Sequence, residues 1–374
     1  MRKAFQYRLY PTKKQQHILE QQLEECRWLY NETLALRKNA WEQEQRHVSY
    51  YESKKRIPVL KAERPSLKVV YAQVLQNVTE RVELGLQAFY RRVKAGENPG
   101  YPRFKGYGRY DSMTFTQAPE GCKIQDGKAV LFGVGHVKMV YHRPLKGKMK
   151  TATVHRSSTD KWYITYTVEC EPERLAPANT QVGIDVGLKT FATLSTTEEI
   201  DNPRFFRKEE KALARVQRKH SKLAKGTPER KKHRKVVARV HERVKFKRHD
   251  FTHQASRQIV DQFGVICVED LNVNRMLHNH CLAKSISDAA WSAFFSQLSV
   301  KAEEAGRQFI KVNPAYTSQT CSGCGHRQKM PLAERVYHCP CCLLSLDRDV
   351  NASKNILRLG LESLGIQPLE APAF

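Results

Sequence analysis

The sequence predicts an α+β multidomain protein: a small N-terminal β-barrel with an inserted helical bundle, then an α/β domain interrupted by a zinc ribbon. Three observations predict it. Alternating strand patterns at Phe5–Leu9 and Trp162–Val168 bracket a long helical stretch. In the C-terminal half, strands alternate with helices, the order expected of a parallel α/β layer. Between the last strand and the last helix of that half lie two Cys-x2-Cys pairs.

The first strand, Phe5-Gln6-Tyr7-Arg8-Leu9, is ended by Pro11, and Thr12 then caps a helix with Gln15 as the reciprocal partner. Leu19, Leu23, Cys26, Tyr30 and Leu34 give that helix an apolar stripe. Leu75, Val78, Val82, Leu86 and Phe89 do the same for a second. Gly and Pro break the pattern over Asn98–Gly106. Strands are expected at Ala129–Phe132, Val137–Tyr141, Thr151–Val154 and Trp162–Val168, which with the first strand make the barrel. A linker with Pro172 and Pro177 opens the second half. The boundaries expected are 1–12 and 98–172 for the barrel and 13–97 for the helices. The C-terminal domain is expected over 178–374, with a basic helical insertion at 204–260 and the ribbon at 318–345.

Charge narrows the class of partner. The 374 residues hold 64 Lys and Arg against 38 Asp and Glu, a net charge of +26. An excess of this size implies a polyanion, and nucleic acid is the leading candidate because phosphate neutralisation dominates its binding energy. Residues 204–249 alone carry nineteen Lys or Arg against four Glu. They keep Leu213, Val216, Leu223, Val236, Val237, Val240 and Val244, so a helical hairpin with a phosphate-facing side is expected. No long apolar segment or signal peptide is found, so no membrane partner is expected and the cytoplasm of a bacterium or archaeon, near the nucleoid, is the expected location.

Two kinds of metal site are written in the sequence. Cys321-Ser322-Gly323-Cys324 and Cys339-Pro340-Cys341-Cys342 are separated by fourteen residues, a zinc-ribbon spacing with thiolates from Cys321, Cys324, Cys339 and Cys342. Cys341 is then spare, and the zinc is expected to hold the loop and carry no chemistry. The second site is acidic. Val182, Ile184 and Val186 alternate with Gly183, Asp185 and Gly187, so an acid sits in an apolar strand with open space expected beside it. Glu269 ends the buried strand Val265-Ile266-Cys267-Val268, at the end where sheet ligands collect. Asp347 suits the N-cap of a helix with the stripe Ala352, Ile356 and Leu359, expected to stop at Gly360, and Asp349 projects from its first turn. Three such carboxylates suit two Mg²⁺ or Mn²⁺ ions, a pair able to activate water and stabilise the leaving oxygen of a phosphodiester.

These residues resemble the TnpB (OrfB) family of insertion-sequence proteins, related to the type V CRISPR effectors. The matching segments are Tyr7-Arg8-Leu9-Tyr10-Pro11-Thr12, Tyr101-Pro102-Arg103-Phe104-Lys105, Gly183-Ile184-Asp185-Val186-Gly187 and Val268-Glu269-Asp270-Leu271. The most specific runs from Asn313-Pro314-Ala315-Tyr316-Thr317-Ser318-Gln319-Thr320 through Cys321 to Gly325, and on to Asp347–Ala352. The resemblance implies an RNA-guided DNA endonuclease of a transposable element. It implies that the barrel is a wedge domain, that the helices are a recognition domain, and that the C-terminal domain is of RuvC/RNase H type. A guide RNA from the transposon end and target DNA are the implied partners, and Asp185, Glu269 and Asp349 the implied catalytic acids. The choice of Asp349 over Asp347 rests on this resemblance and on the helix pattern together. Leu343 departs from the family, in which a glycine is common after the last zinc cysteine.

Two other functions are weighed. One is a nucleic-acid-binding accessory or regulatory protein that keeps its acids, against which the intact triad argues. The other is a transposase joining DNA strands, for which no separate domain is present. Gln73 and Gln76, on the polar side of the second helix, are candidates for reading base edges in a flanking motif, since amides pair with adenine. Solvated helix polar residues are an equally good reading of that pair.

Overall fold

The structure is a computed structural model that describes residues 1–331 and 333–365. Residue 332, inside the expected ribbon, and 366–374, at the end of the expected C-terminal domain, lie outside the described residues. The chain forms two compact units that divide between Glu171 and Pro172.

In the first unit, β1 (Arg2–Tyr10) leads into α1 (Lys13–Glu44). Thr12 and Gln15 close the predicted capping box, each side chain accepting from the other's backbone N–H at 3.3 and 3.1 Å. Short helices α2 (Tyr50–Lys55) and α3 (Ile57–Glu63) and a 3₁₀ turn precede α4 (Ala72–Lys94). The stripes read from the sequence are the faces these helices bury, with Phe89 half-buried at the end of its own. The Gly/Pro-rich segment after α4 is tied back onto α1: Asn31 exchanges two hydrogen bonds with the Lys105 backbone, at 3.0 and 2.8 Å.

Six more strands follow: β2 (Ser112–Phe115), β3 (Cys122–Gln125), β4 (Lys128–Leu131), β5 (Gly135–Met139), β6 (Lys148–Arg156) and β7 (Trp162–Glu169). With β1 they form one antiparallel sheet in the order β2-β6-β7-β1-β5-β4-β3. Period-two alternation places Phe5, Tyr7 and Leu9 opposite Tyr166, Ile164 and Trp162, all buried on one face. The sheet is strongly curled. Cys122 on β3 donates to the Tyr166 hydroxyl on β7 at 3.7 Å, although three strands separate them in the order. In a flat sheet four strand spacings would hold them about 19 Å apart.

The second unit is built on a five-stranded sheet in the order β10-β9-β8-β11-β12. Its strands are β8 (Gln181–Val186), β9 (Thr190–Leu194), β10 (Glu199–Asp201), β11 (Val265–Glu269) and β12 (Gln308–Val312). The expected parallel pairing holds for β8-β11-β12, whereas β8, β9 and β10 form antiparallel hairpins. Between β10 and β11 run the basic helices α5 (Phe205–Lys222) and α6 (Pro228–Gln262), which pair through Leu213, Val240 and Val244. Then come α7 (Val273–Met276), α8 (Ala283–Ala289) and α9 (Trp291–Ala305). The hairpin β13 (Val336–His338) and β14 (Ser345–Asp347) leads straight into α10 (Arg348–Ser363).

Both faces of this sheet are covered. Val182, Ile184, Ile266 and Val268 pack with α6 and α9 through Ile259, Val260 and Phe294. Gly183 and Cys267 point the other way, toward α10. Two expectations about glycine are corrected here. The space beside Gly183 is not open but filled by α10: a Cβ there would fall on the Ser353 carbonyl oxygen and within 2.6 Å of the Leu357 amide. Gly360 does not stop the helix, which continues to Ser363. It lets α10 press onto the Cys267 sulfur, where a Cβ would collide. Among the described residues, no helix is long and apolar enough to cross a membrane.

Candidate metal centres

Parallel pairing sets Cys267 beside Gly183, so two residues further on Asp185 and Glu269 leave adjacent strands on the α10 face, at their carboxyl ends. The Gly183 amide donates to Ser195 Oγ at 3.1 Å and its carbonyl accepts from the Ser195 amide at 2.9 Å, which pins β8 just before its acid. Asp347 is the N-cap of α10, its Oδ1 accepting from the Asp349 and Val350 amides at 2.8 and 3.3 Å. Asp349 is thereby left in the first turn with its carboxylate uncommitted to capping.

Asp185 lies within electrostatic reach of the other two acids. Burial pushes the Asp185 carboxyl well above the usual carboxylate range, and the Glu269 and Asp349 carboxylates push it further, against a smaller opposing pull from Arg348. Burial also raises Glu269, and it raises Asp349, which has Asp347 as a repelling neighbour. A buried carboxyl whose proton affinity two further carboxylates raise marks a region of excess negative charge, which a divalent cation neutralises. The donor set, oxygen only, suits Mg²⁺ or Mn²⁺. Glu269 is further fixed by Thr317, whose hydroxyl donates to its Oε1 at 2.6 Å in a buried position.

The four cysteines converge as their spacing requires. Their sulfur atoms all lie within 4.8 Å of one another, with Cys321–Cys342 and Cys324–Cys339 each at 3.5 Å. A tetrahedral zinc with thiolate bonds of about 2.3 Å calls for sulfurs about 3.8 Å apart, so the set fits that ion. Backbone N–H groups of Cys342 and Cys341 hold the Cys339 thiol down at about 6, favouring the ligating thiolate. The two knuckles are built alike. Gly325 and Leu343, each following a second cysteine, donate to the carbonyls of Cys321 and Cys339 at 3.0 and 3.1 Å. Both are left-handed, at φ 76° and 59°. Cys341 is exposed and outside the cluster.

Gln73 and Gln76 fall on α4 in the first unit. The Gln73 amide is engaged with a loop before β3: it donates to Gln117 and to Glu120 Oε2 at 3.3 Å, and accepts from the Gln117 amide at 3.1 Å. Gln76 is half-buried. The structure adds Thr317, Arg348, Asn351 and Asn355 to the residues around these centres. Arg348, buried beside Asp349, donates to the Pro331 carbonyl at 3.0 Å. The available signal for the asparagines was two amides one helical turn apart among the apolar residues of α10.

Three family models match the chain: OrfB_IS605, described as "Probable transposase", over residues 163–280; the Cas12f1-like TNB domain over 291–356; and a helix-turn-helix domain over 1–46. The last span is here one strand and one long helix. A Streptomyces pristinaespiralis protein named "Putative RNA-guided DNA endonuclease" is 35% identical over 98% of this chain and 92% of its own length. An Escherichia coli K12 protein of the same description, InsQ, is 29% identical over 96% and 92%. Among solved structures, a Cas12f1–sgRNA–target DNA complex matches with a TM-score of 0.58 at 15% identity, covering 92% of this chain and 83% of that one.

Proposed function

Because the chain belongs to the TnpB (OrfB) family, we propose that it is an RNA-guided DNA endonuclease that hydrolyses phosphodiester bonds at Asp185, Glu269 and Asp349. The observation that carries this reading is that acids from two parallel strands and one helix turn lie near enough for Glu269 and Asp349 to destabilise Asp185 as an anion. Two divalent cations bound there would supply an activated water and charge stabilisation for the leaving oxygen. The protein's own part is to aim the acids: β8 and β11 fix two of them by register, and the Asp347 cap frees Asp349 from the helix end.

The rest of the chain fits the same reading. The curled seven-stranded sheet is proposed as the wedge barrel (1–12 and 98–172), and the helices of 13–97 as the recognition domain. The unit from 178 onward is proposed as RuvC-like, with the basic insertion at 204–260 and the ribbon at 318–345. Guide RNA and target DNA are the proposed partners, with the net charge of +26 neutralising their phosphates. Gln76 is proposed to face a flanking DNA motif. Gln73 would have to exchange its bonds to Gln117 and Glu120 to join it.

The test is co-expression with the native downstream locus, sequencing of RNA that co-purifies, and cutting of a matched plasmid library with Mg²⁺. Guide-dependent cutting that Asp185→Ala abolishes, with binding retained, supports the proposal. Cutting without RNA would make this an unguided nuclease, RNA binding without cutting a binding module, and joining of transposon ends a transposase.

A further inference from the structure

The zinc ribbon and the acidic site are joined by one continuous set of buried and part-buried hydrogen bonds. Asn351 and Asn355 lie one turn apart on α10, the helix that carries Asp349, and both are essentially inaccessible, at 0% and 1% exposure. A buried amide in a helix is costly unless its polar atoms find partners. Here three of the four polar atoms find partners, all in the segment that enters the ribbon, and Asn355 Oδ1 is left without one. Asn355 Nδ2 donates to the carbonyls of Thr317 and Thr320 at 2.9 and 2.6 Å. Asn351 Nδ2 donates to the Thr320 carbonyl at 2.8 Å, and its Oδ1 accepts from the Ser322 amide at 2.9 Å. Thr320 and Ser322 flank the first zinc cysteine, Cys321. At the other end of the same segment, the buried Thr317 hydroxyl donates to Glu269 Oε1 at 2.6 Å.

We propose that Thr317, Asn351 and Asn355 are positioning residues that couple the two metal centres, so that closure of the zinc ribbon fixes the orientation of Glu269. This rests on the reading of Glu269 as a ligand of the nuclease cations. The ribbon then does more than hold its own loop. Opening it releases Thr320 and Ser322 from α10, and Thr317 from Glu269. Coupling between binding sites is reciprocal, so a cation at the acidic site must tighten zinc binding by the same factor by which zinc tightens that cation.

The experiment uses the full chain without RNA, reading Mn²⁺ affinity by electron paramagnetic resonance and the equilibrium extent of zinc release to a competing chelator, with thermal melting as the check on folding. Thr317→Val, which keeps the side-chain shape and removes the donor, should weaken Mn²⁺ binding by about 10–100-fold, the usual effect of losing a residue that orients a ligand. Thr317→Ser should restore most of it. In the unaltered chain, saturating Mn²⁺ should reduce zinc release at equilibrium, and zinc removal should weaken Mn²⁺ binding. Glu269→Gln separates the two ideas. If it leaves Mn²⁺ affinity unchanged, the carboxylate reading falls and the coupling with it. If it weakens Mn²⁺ but Thr317→Val does not, or Mn²⁺ leaves zinc release unaltered, the coupling alone is overturned. Thr317→Ser no better than Thr317→Val would reduce Thr317 to packing.

Discussion

Asp288 receives two hydrogen bonds from the Arg248 guanidinium on a single carboxylate oxygen, at 2.9 and 2.7 Å, while its two oxygens also cap the amide of Phe206 at 3.0 and 2.9 Å. One buried acid on α8 thereby fastens the first turn of α5 and the middle of α6. The start of α5 has no side-chain cap from its own N-cap residue, Arg204, so Asp288 takes that role from a distance.

Removing this acid should loosen the basic hairpin at its root. Asp288→Ala is expected to cost about 3 kcal/mol, because it strands a partly buried guanidinium as well as a helix amide. Arg248→Leu in the same chain should recover part of that loss. Urea unfolding measures both, and a loss below about 1 kcal/mol would show the ion pair to be incidental.

Leu343 should be replaceable to advantage. It adopts the left-handed conformation that its structural counterpart Gly325 adopts, is 85% exposed, and bears the steric penalty of a β-carbon there. Leu343→Gly is expected to stabilise the ribbon by about 1 kcal/mol and to slow zinc loss to a chelator. Faster zinc loss in that variant would contradict the equivalence of the two knuckles.

The acidic site should make metal-free protein sensitive to pH in an unusual direction. Burial and two neighbouring carboxylates raise the Asp185 pKa, so the folded chain holds this proton more tightly than the unfolded one. The associated stability is full below the ordinary carboxylate pKa and is lost as pH rises through the raised value. Melting temperature without metal should therefore fall over that window, and Mn²⁺ should suppress the fall. Asp185→Asn should flatten it and stabilise the metal-free chain by about 1 kcal/mol near neutrality. Parallel melting profiles for the two proteins would exclude this account.

On the hairpin, Lys231, Lys232, Arg234 and Arg239 stand exposed along α6. Changing them to Gln should weaken nucleic-acid binding with little regard to sequence. It should also reduce the salt slope of log K by about 1 for every phosphate no longer neutralised. Filter binding across a salt series reads this directly, and an unchanged slope would remove α6 from the nucleic-acid surface.

The acids and zinc ligands could be read from sequence because each violates its local surroundings. Asp185 interrupts an apolar strand, Glu269 ends one, and four cysteines repeat a spacing that little else uses. The strands β2 and β3 escape a reading because each offers only two apolar side chains in four residues, whereas the equally short β4 declares itself by the run Ala129-Val130-Leu131. The surroundings of Gly183 are hidden for a different reason. Strand periodicity says which face a residue occupies but not what covers that face, and its cover arrives with Ser353 and Leu357, far along the chain. Thr317 carries no periodic signature at all, and the one-turn spacing of Asn351 and Asn355 marks a pair of amides without saying what they bond; their roles exist only through the partners that folding supplies.

The division of labour along α6 also has a use in engineering. From Thr252 onward the helix is bound into the sheet by Ala255, Ile259 and Val260, whereas its first half packs on α5 through Val240 and Val244. The turn between the two helices, around Gly226, is therefore a natural splice point. Adding or deleting matched turns there would lengthen or shorten the arm by about 5.4 Å a step. Reach along a bound duplex would become an adjustable dimension, set without moving either strand that bears an acid.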